Sequence, residues 1–386
     1  MTTNEFRRYA LFYLGYYGAL GAYTPYVSRW VDALGHGGYV VGAVLALWYG
    51  GRILAPPVWS RLTAASATPG RWLVGGCLLA LAGFATLAGA PPLAWMLGAM
   101  LWFALFFNAV MPQFEAMTLS TLGANNHAYG SIRVWGSIGF LIVAGTYGWL
   151  LDRFGDGMFV WLTLPWLALT VIAAWLHRRD APLPQADAGP REPLWRRLGT
   201  KRLLGTVMLM QVGFGPFYVF YTLHLRANGH DGTGVGALWA LGVLCEIAMF
   251  WQAPKLVQRF GAHRMLTACM VVTVARWLMV ATLADSFAWM ALAQATHAFG
   301  FAAFHAGVMR RMAELFPERR HMVGAQGLLY GIGGGVGGVL GALVSSVAWQ
   351  HGGGGMAFAL GALAALCALA LHAGVARLHR AAAHQA

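Results

Sequence analysis

The chain has 386 residues, of which 59% are hydrophobic and only 10% are charged. One soluble core of this size cannot bury so much apolar surface, so the composition predicts a polytopic membrane protein. The net charge of +13 does not indicate nucleic-acid binding, because the basic residues fall in short loops between apolar stretches. The four cysteines lie in apolar segments without C-x-x-C spacing, which argues against a disulfide framework or a zinc site.

Apolar stretches of about 20 residues, the length that crosses a bilayer as a helix, recur along the whole chain. The predicted fold class is therefore all-α, with twelve transmembrane helices in two pseudo-symmetric six-helix bundles. The predicted spans are 9–31, 38–60, 72–90, 94–120, 129–151, 157–177, 203–226, 233–254, 265–284, 287–312, 322–348 and 355–376.

The distribution of lysine and arginine predicts the orientation of the spans. With both termini in the cytoplasm, the inner loops contain most of the basic residues, whereas the outer loops contain only Arg29, Arg153 and Arg226. Cytoplasmic loops of membrane proteins carry this excess, so both termini are predicted to be cytoplasmic. The first span is long for the apolar region of a signal peptide. We therefore expect no cleavable signal and a location in the cell inner membrane.

A polar stretch near the middle of the chain divides the spans six and six. Residues 177–202, HRRDAPLPQADAGPREPLWRRLGTKR, are rich in proline and charge, as expected for a cytoplasmic linker. The predicted domains are an N-terminal six-helix bundle over 1–177, a central loop over 178–202, and a C-terminal six-helix bundle with a short basic tail over 203–386.

The two halves share a repeat that follows the first span of each. GHGGYVVGAVLAL at 35–47 matches GHDGTGVGALWAL at 229–241 at several positions, including His36 and His230. Chance similarity between helices rich in Gly, Ala and Leu is the alternative, and the matched histidines count against it. Two related six-helix bundles are typical of secondary transporters with parallel repeats.

Few charged residues lie inside the predicted spans, and their positions suggest pairs. A lone ionised group near the bilayer centre is costly, so such residues normally face a cavity and have a partner. Glu115 and Arg133 lie nine residues either side of the turn between the fourth and fifth spans. Glu246 and Arg276 lie fifteen residues either side of the turn between the eighth and ninth. Because an α-helix rises about 1.5 Å per residue, each pair is predicted to lie at a common depth.

Further candidates come from the repeat and from the tenth span. The repeat maps Arg52 onto Glu246, which predicts opposite charges at equivalent points of the two halves. His297 and His305 lie eight residues apart, within about 80° around a regular helix, and are candidates for proton transfer. The alternatives are snorkelling or structural ion pairs for the arginines and simple packing for the histidines. Aromatic candidates for cavity walls are Tyr17, Tyr23, Tyr26, Phe217, Tyr218 and Tyr221.

One glycine-rich motif is not interpreted as a nucleotide site. GIGGGVGGVLG at 331–341 contains a G-x-G-x-x-G match, but no strand precedes it and it lies inside a predicted span. Close helix packing through small residues is the better interpretation. The sequence therefore predicts neither a cofactor nor a metal site.

Several segments of the chain are similar to those of a known transporter family. They are FEA at 114–116, YGSIRVWGS at 129–137, LWALGVLCE at 238–246, VARW at 274–277 and QATHAFGFAAFH at 294–305. Through them, and over its whole length, the chain resembles the major facilitator superfamily, and within it the lactose-permease and phenylpropionate-permease group of proton symporters. The phenylpropionate-permease branch is the most similar. The resemblance implies that Glu115 and Arg133 contact the substrate and that Glu246 couples it to a proton, with Arg276 and His297 in the coupling network.

Two departures from the family pattern bear on this interpretation. Lactose permease has a proton-carrying glutamate three residues after the histidine that corresponds to His297, where this chain has Gly300. The proton carrier therefore stays open between Glu246 and Glu115, with His297 or His305 as helpers. The loop PPVWSRL at 56–62 also lacks the acidic residue usual in the superfamily signature.

The sequence predicts an inner-membrane transporter, not an enzyme, that imports a small organic solute with protons. Three intramembrane arginines against two glutamates leave one surplus positive charge, and together with the aromatic residues this favours an aromatic carboxylate such as phenylpropionate. The expected partners are the solute, protons and the lipid bilayer, with no nucleic acid, for a monomer. The predicted substrate-binding residues are Glu115, Arg133, Arg52, Tyr218 and Tyr221, and the proton-coupling residues are Glu246, Arg276, His297 and His305.

Other functions fit the same pattern less well. A sugar or nucleoside symporter and an efflux transporter share the predicted fold. A membrane-embedded transferase would need a cluster of acids or histidines at one membrane face, whereas the predicted outer loops are short and carry few acids. A sensor would need a signalling domain beyond the central loop and the tail.

Overall fold

The computed structural model describes residues 2–64, 66–89, 91–123, 129–180, 198–317 and 325–383. Within these ranges every regular element is a helix and no strand occurs, which confirms the all-α class. By length and composition, eight helical segments of the described chain are able to cross a membrane. They are Gly38–Ala64, Leu93–Leu122, Tyr129–Phe154, Asp156–Leu176, Gly199–Ala227, Gly232–Phe260, Ala262–Thr282 and Ala325–Gly374.

The first half of the chain forms six α-helices that follow the predicted apolar stretches. The first begins with a capping box, in which Thr2 and Glu5 satisfy each other's backbone groups. A short 3-10 turn, Asp156–Met158, precedes the sixth. The helices are α1 (Thr3–Ala33), α2 (Gly38–Ala64), α3 (Pro69–Ala85), α4 (Leu93–Leu122), α5 (Tyr129–Phe154) and α6 (Phe159–Leu176).

The described part of the second half contains seven α-helices of twelve or more residues and two π-helical segments. The π segments, Phe299–Ala303 and Leu329–Val336, each lead directly into an α-helix. π-Helical turns inside longer helices often occur at functional sites. The helices are α7 (Leu198–Gly213), α8 (Gly215–Ala227), α9 (Gly232–Phe260), α10 (Ala262–Thr282), α11 (Phe287–Ala298), α12 (Phe304–Leu315) and α13 (Gly337–Ala383).

The helices depart from the predicted spans at the seventh span and at the last two. The predicted seventh span is interrupted at Phe214, where α7 ends and α8 begins. The last two predicted spans are joined in α13, which contains a kink at Gly352 and Gly353. Gly353 has φ +62°, a left-handed conformation that glycine adopts without strain. Most of the predicted central loop, and the turn at 124–128, lie outside the described residues.

The chain divides into two compact units whose boundaries cut across α9. One unit comprises Met1–Asp187 with Asp231–Ala240, and the other comprises Ala188–His230 with Leu241–Ala386. In the first unit α1 packs on α5 and α6, and α4 packs on α2 and α3. In the second unit α13 packs on α7, α8 and α10. The first turns of α9 therefore pack with the helices of the N-terminal half.

The glycine-rich motif serves helix packing, as predicted. A Cβ atom at Gly337 would lie 2.8 Å from the backbone oxygen of Met208 in α7. One at Gly341 would lie 3.0 Å from the backbone of Val212 in the same helix. Because any side chain at these positions would collide with the neighbouring backbone, the glycines allow the two helices to approach closely.

Ion pairs tie the ends of the helices in the first unit. Arg29 of α1, which is 4% exposed, lies 2.9 Å from Asp152 and 2.6 Å from Asp156. At the other end, Arg8 lies 2.8 Å from Asp180, which also contacts His177 at 2.6 Å. Burial would raise the pKa of Asp180, but the hydrogen bonds and charges of His177 and Arg8 outweigh it. The pKa of this carboxyl therefore lies below its ordinary value.

Candidate functional site

Arg133 is the centre of a polar cluster inside the first unit. Its guanidinium lies over the ring of Tyr17, 4.0 Å from the ring centroid, and donates a hydrogen bond to the Tyr17 hydroxyl. Its Nε atom lies 3.7 Å from Oε1 of Glu115. The predicted contact between Glu115 and Arg133 is thus confirmed. The ring of Tyr13 lies below the same guanidinium at 5.4 Å, so the cation rests on two aromatic rings.

Glu115 has a second neighbour that the sequence did not single out. The Tyr129 hydroxyl donates a long hydrogen bond of 3.3 Å to Oε1 of Glu115. The side chains of Arg133 and Glu115 are 30% and 38% exposed. Glu115 lies seven residues before the end of α4 and Arg133 four residues after the start of α5, so both charges lie toward the same end of this helical hairpin and remain accessible from outside the protein.

Arg52 of α2 adds a further positive charge near this cluster. It is exposed, and it lies near enough to Tyr16 and Tyr17 for its charge to act on both hydroxyl groups. Within the described chain Arg52 forms neither a hydrogen bond nor an ion pair. Together with Arg133 and Glu115 it gives this part of the first unit a formal surplus of one positive charge. The predicted match between Arg52 and Glu246 stays a prediction.

Two tyrosines of α1 do not line a cavity as expected. Tyr23 is 1% exposed and Tyr26 is fully buried. The Tyr26 hydroxyl donates to the carbonyl oxygen of Ala144 at 2.6 Å, and the ring of Tyr23 packs against Trp48. Both side chains therefore hold helices of the first unit together. Their chemistry resembles that of Tyr17, but they lie further along α1, where the helices pack tightly.

In the second unit, Glu246 of α9 contacts His297 of α11. Oε1 of Glu246 lies 2.5 Å from Nε2 of the imidazole. At this distance the Nε2–H group of the imidazole donates a hydrogen bond to the carboxylate. The Nδ1 atom of His297 is buried and has no hydrogen-bond partner among the described residues, and the ring is packed against Phe214, Phe217 and Phe301. The arrangement is a hydrogen-bonded pair of a half-buried carboxylate and a buried imidazole.

Arg276 does not form the predicted ion pair with Glu246. Its Nε donates to the carbonyl oxygen of Ala293 at 2.8 Å, and its Nη2 donates to Oε1 of Gln294 at 3.0 Å. It is only 1% exposed, and its guanidinium lies 4.1 Å from the ring centroid of Trp277. The side chain of Arg276 points toward α11 and not toward Glu246.

The two remaining coupling candidates differ in their surroundings. His305 forms neither a hydrogen bond nor an ion pair with any described residue, and the π segment Phe299–Ala303 breaks the regular spacing between it and His297. Gly300 lies inside that segment. A Cβ atom there would lie 2.7 Å from the Thr273 hydroxyl and 3.1 Å from the Phe214 ring. A side chain at this position would therefore require Thr273 and Phe214 to shift.

Tyr218 and Tyr221 lie on α8 beside this second cluster. Tyr221 is 1% exposed and its ring centroid lies 4.9 Å from that of Phe217, whereas Tyr218 is half-buried. The charge of Arg276 interacts with both hydroxyl groups. Sequence reasoning missed Gln294 and Trp277, which fix Arg276, because a glutamine and a tryptophan in an apolar span carry no distinct signal.

The described residues offer no metal site. Nowhere in the ranges given above do three or more histidine, cysteine, aspartate or glutamate side chains come together in a way that could hold an ion. The chemistry on hand is therefore that of arginines, carboxylates, imidazole and aromatic rings.

Comparison with known sequences extends over most of the chain. Residues 6–360 match the MFS_1 like family. A relative from Escherichia coli (strain K12), named "Probable 3-phenylpropionic acid transporter", is 29% identical over 326 residues, which covers 81% of this chain and 83% of the relative. The maltose permease of Geobacillus stearothermophilus is 27% identical over 288 residues, or 73% of this chain and 72% of the permease.

Solved structures show the same fold at low sequence identity. The nucleoside transporter NupG has a TM-score of 0.78 at 15% identity, covering 96% of this chain and 98% of its own. The peptide transporter PepTSo has a TM-score of 0.77 at 12% identity, covering 98% and 99%. These relatives and neighbours are transporters and not enzymes. The chain accordingly belongs to the MFS_1 like family and is a multi-pass membrane transporter of the major facilitator type.

Proposed function

We propose that this transporter imports an aromatic carboxylate, such as 3-phenylpropionate, together with protons across the cell inner membrane. The observation that carries the proposal is the cluster in the first unit, where Arg133 lies on the ring of Tyr17 and Arg52 has no counter-ion within the described chain. A carboxylate would neutralise the surplus charge, and an aromatic ring would pack among the tyrosines. The relative named for 3-phenylpropionic acid points to the same class of solute.

The proposed proton carrier is the pair of Glu246 and His297. Its two heavy atoms lie 2.5 Å apart, and both groups change charge when they gain or lose a proton. Arg276 and Gln294, fixed to each other beside this pair, supply a constant positive charge. His305 and Glu115 take a secondary place in the proposal, because neither forms so short a contact with another titratable group.

The proposed topology has twelve spans with both termini in the cytoplasm. α7 and α8 then form one interrupted span, α11 and α12 form another, and the kink at Gly352 and Gly353 separates the last two. Reporter fusions after Arg8, within 182–192 and after Arg380 are expected to report a cytoplasmic location in all three cases, since these segments lie among basic residues. A periplasmic signal from the central fusion would overturn the arrangement of six plus six.

Uptake into proteoliposomes tests the proposed solute. With an inward proton gradient, labelled 3-phenylpropionate is expected to accumulate above its external concentration, and a protonophore should abolish the accumulation. Labelled maltose and uridine serve as the matched neutral solutes. Neither contains a carboxylate, so neither is expected to accumulate.

The outcomes separate the alternatives. Accumulation of maltose or uridine without 3-phenylpropionate would show a sugar or nucleoside symporter. Proton-driven loss of 3-phenylpropionate from preloaded vesicles, without uptake in the opposite gradient, would show an efflux transporter. Chemical alteration of the label would contradict transport as the function and favour a membrane-embedded transferase.

A further inference from the structure

Arg133 and Glu115 lie side by side but do not form a closed ion pair. A charge-assisted hydrogen bond between an arginine and a carboxylate typically spans about 2.7–2.9 Å. The Nε atom of Arg133 and Oε1 of Glu115 are 3.7 Å apart. Since the two charges attract each other, other groups must hold the side chains in their present positions.

A tyrosine holds each of the two charges. The Tyr17 hydroxyl accepts a hydrogen bond from Nη2 of Arg133, and its ring lies under the guanidinium. The Tyr129 hydroxyl donates to Oε1 of Glu115 at 3.3 Å. The ring of Tyr17 lies against Gly136, where a Cβ atom would come within 2.7 Å of it. The glycine thus provides the space in which Tyr17 reaches Arg133.

We infer that Tyr17 and Tyr129 are positioning residues that keep Arg133 and Glu115 apart, so that Arg133 is available to the carboxylate of the solute. The inference rests on the proposed function for the identity of the solute, but the separation of the two charges does not depend on that identity. When the solute arrives, its carboxylate replaces the neutral Tyr17 hydroxyl. Displacing a neutral acceptor is less costly than breaking a closed ion pair.

A double-variant cycle on the purified, solute-free protein tests this separation directly. In Tyr17→Phe, the ring remains but Arg133 loses its acceptor and closes onto Glu115, so the loss of thermal stability is partly compensated. In Glu115→Gln that compensation cannot occur, because the attracting charge is gone. The Tm loss of the double variant is therefore expected to exceed the sum of the two single losses by about 2 °C. Additive losses would overturn the inference.

Solute binding supplies the second measurement, with 3-phenylpropionate, maltose and uridine as probes. For whichever probe binds the wild type, Tyr17→Phe and Tyr129→Phe are each expected to weaken binding about tenfold, because the closed pair must first be opened. Unchanged or tighter binding by Tyr17→Phe would contradict the inference. Tyr147→Phe is the matched control, because the hydroxyl of this tyrosine in α5 donates to the carbonyl oxygen of Leu162, away from the site.

The two proposals fail in different ways. If 3-phenylpropionate does not bind the wild type but another probe does, the proposed solute is wrong. The role of the two tyrosines is then tested by the expected tenfold weakening of binding of that other probe. If none of the three binds, the proposed solute is again wrong and the stability cycle alone decides. Additive Tm losses would show that Tyr17 does not keep the two charges apart in the wild type. This outcome would contradict the inference whatever the solute is.

Discussion

Replacing Arg133 by alanine is expected to weaken the binding of 3-phenylpropionate roughly thirtyfold, or by about 2 kcal/mol. The variant loses the donors proposed for the carboxylate and leaves Glu115 facing the solute with like charge. Truncation of one partner in a buried charge pair costs more than this. The expected loss of binding free energy is smaller here because the two side chains are 30% and 38% exposed, and solvent screens partly exposed charges. Equilibrium binding to the purified protein measures the change.

Two further variants make the Arg133 result specific. Arg153→Ala removes an exposed arginine near the end of the same helix and is expected to leave binding at the wild-type level. Arg133→Lys keeps the charge but not the planar fork that matches a carboxylate, and is expected to fall between the wild type and Arg133→Ala. Normal binding and transport by Arg133→Ala would show that the arginine has a structural role only.

The two predicted hairpin pairs show what a sequence can and cannot locate. Equal distance from a turn predicts equal depth, because rise per residue is nearly constant in an α-helix. Depth alone was sufficient for Glu115 and Arg133, which lie in contact. It was insufficient for Glu246 and Arg276, because contact also requires that both side chains point toward each other. Their directions depend on how α9, α10 and α11 pack, which no local pattern records.

The positions of most helices were predictable from the sequence, whereas the irregularities within them were not. The length of an apolar run is set by the bilayer and can be counted in the sequence. The break at Phe214 and the π segment Phe299–Ala303 change backbone hydrogen bonding without changing hydropathy. The departure of Gly300 from the family pattern was visible in the sequence. Its place in that π segment, and the close contacts that a side chain there would meet, were not visible.

Tyr17 and Gln294 show which members of the candidate site sequence reasoning ranks poorly. Tyr17 was one of six aromatic candidates with nothing to distinguish it from Tyr23 and Tyr26. Only its contact with Arg133 separates it from those packing residues. Gln294 is uncharged, so a search for intramembrane ions passes over it, yet it binds the guanidinium of Arg276 at 3.0 Å. Uncharged residues of this kind are identified only when the structure shows which charged side chain they contact.

Glu246→Gln is expected to abolish proton-driven accumulation of the solute while leaving exchange between preloaded vesicles and the medium. Glutamine keeps the shape and the hydrogen-bonding capacity of the side chain but cannot titrate. It can still hydrogen-bond His297, so the packing of the imidazole against Phe214 and Phe217 is expected to persist. What is lost is the ability of the pair to take up a proton on one side of the membrane and release it on the other.

The comparison that decides this role is between accumulation and exchange in the same vesicles. Glu314→Gln is the matched control, because this glutamate of α12 pairs with Arg310 and Arg311 at a more exposed position and should retain both activities. A variant that loses exchange as well as accumulation would place Glu246 in solute binding. If Glu246→Gln still accumulates 3-phenylpropionate and a protonophore still abolishes this, the coupling proton lies elsewhere. Glu115, His297 and His305 are then the groups to replace next, and His297 is first because a neutral imidazole can still titrate beside a glutamine.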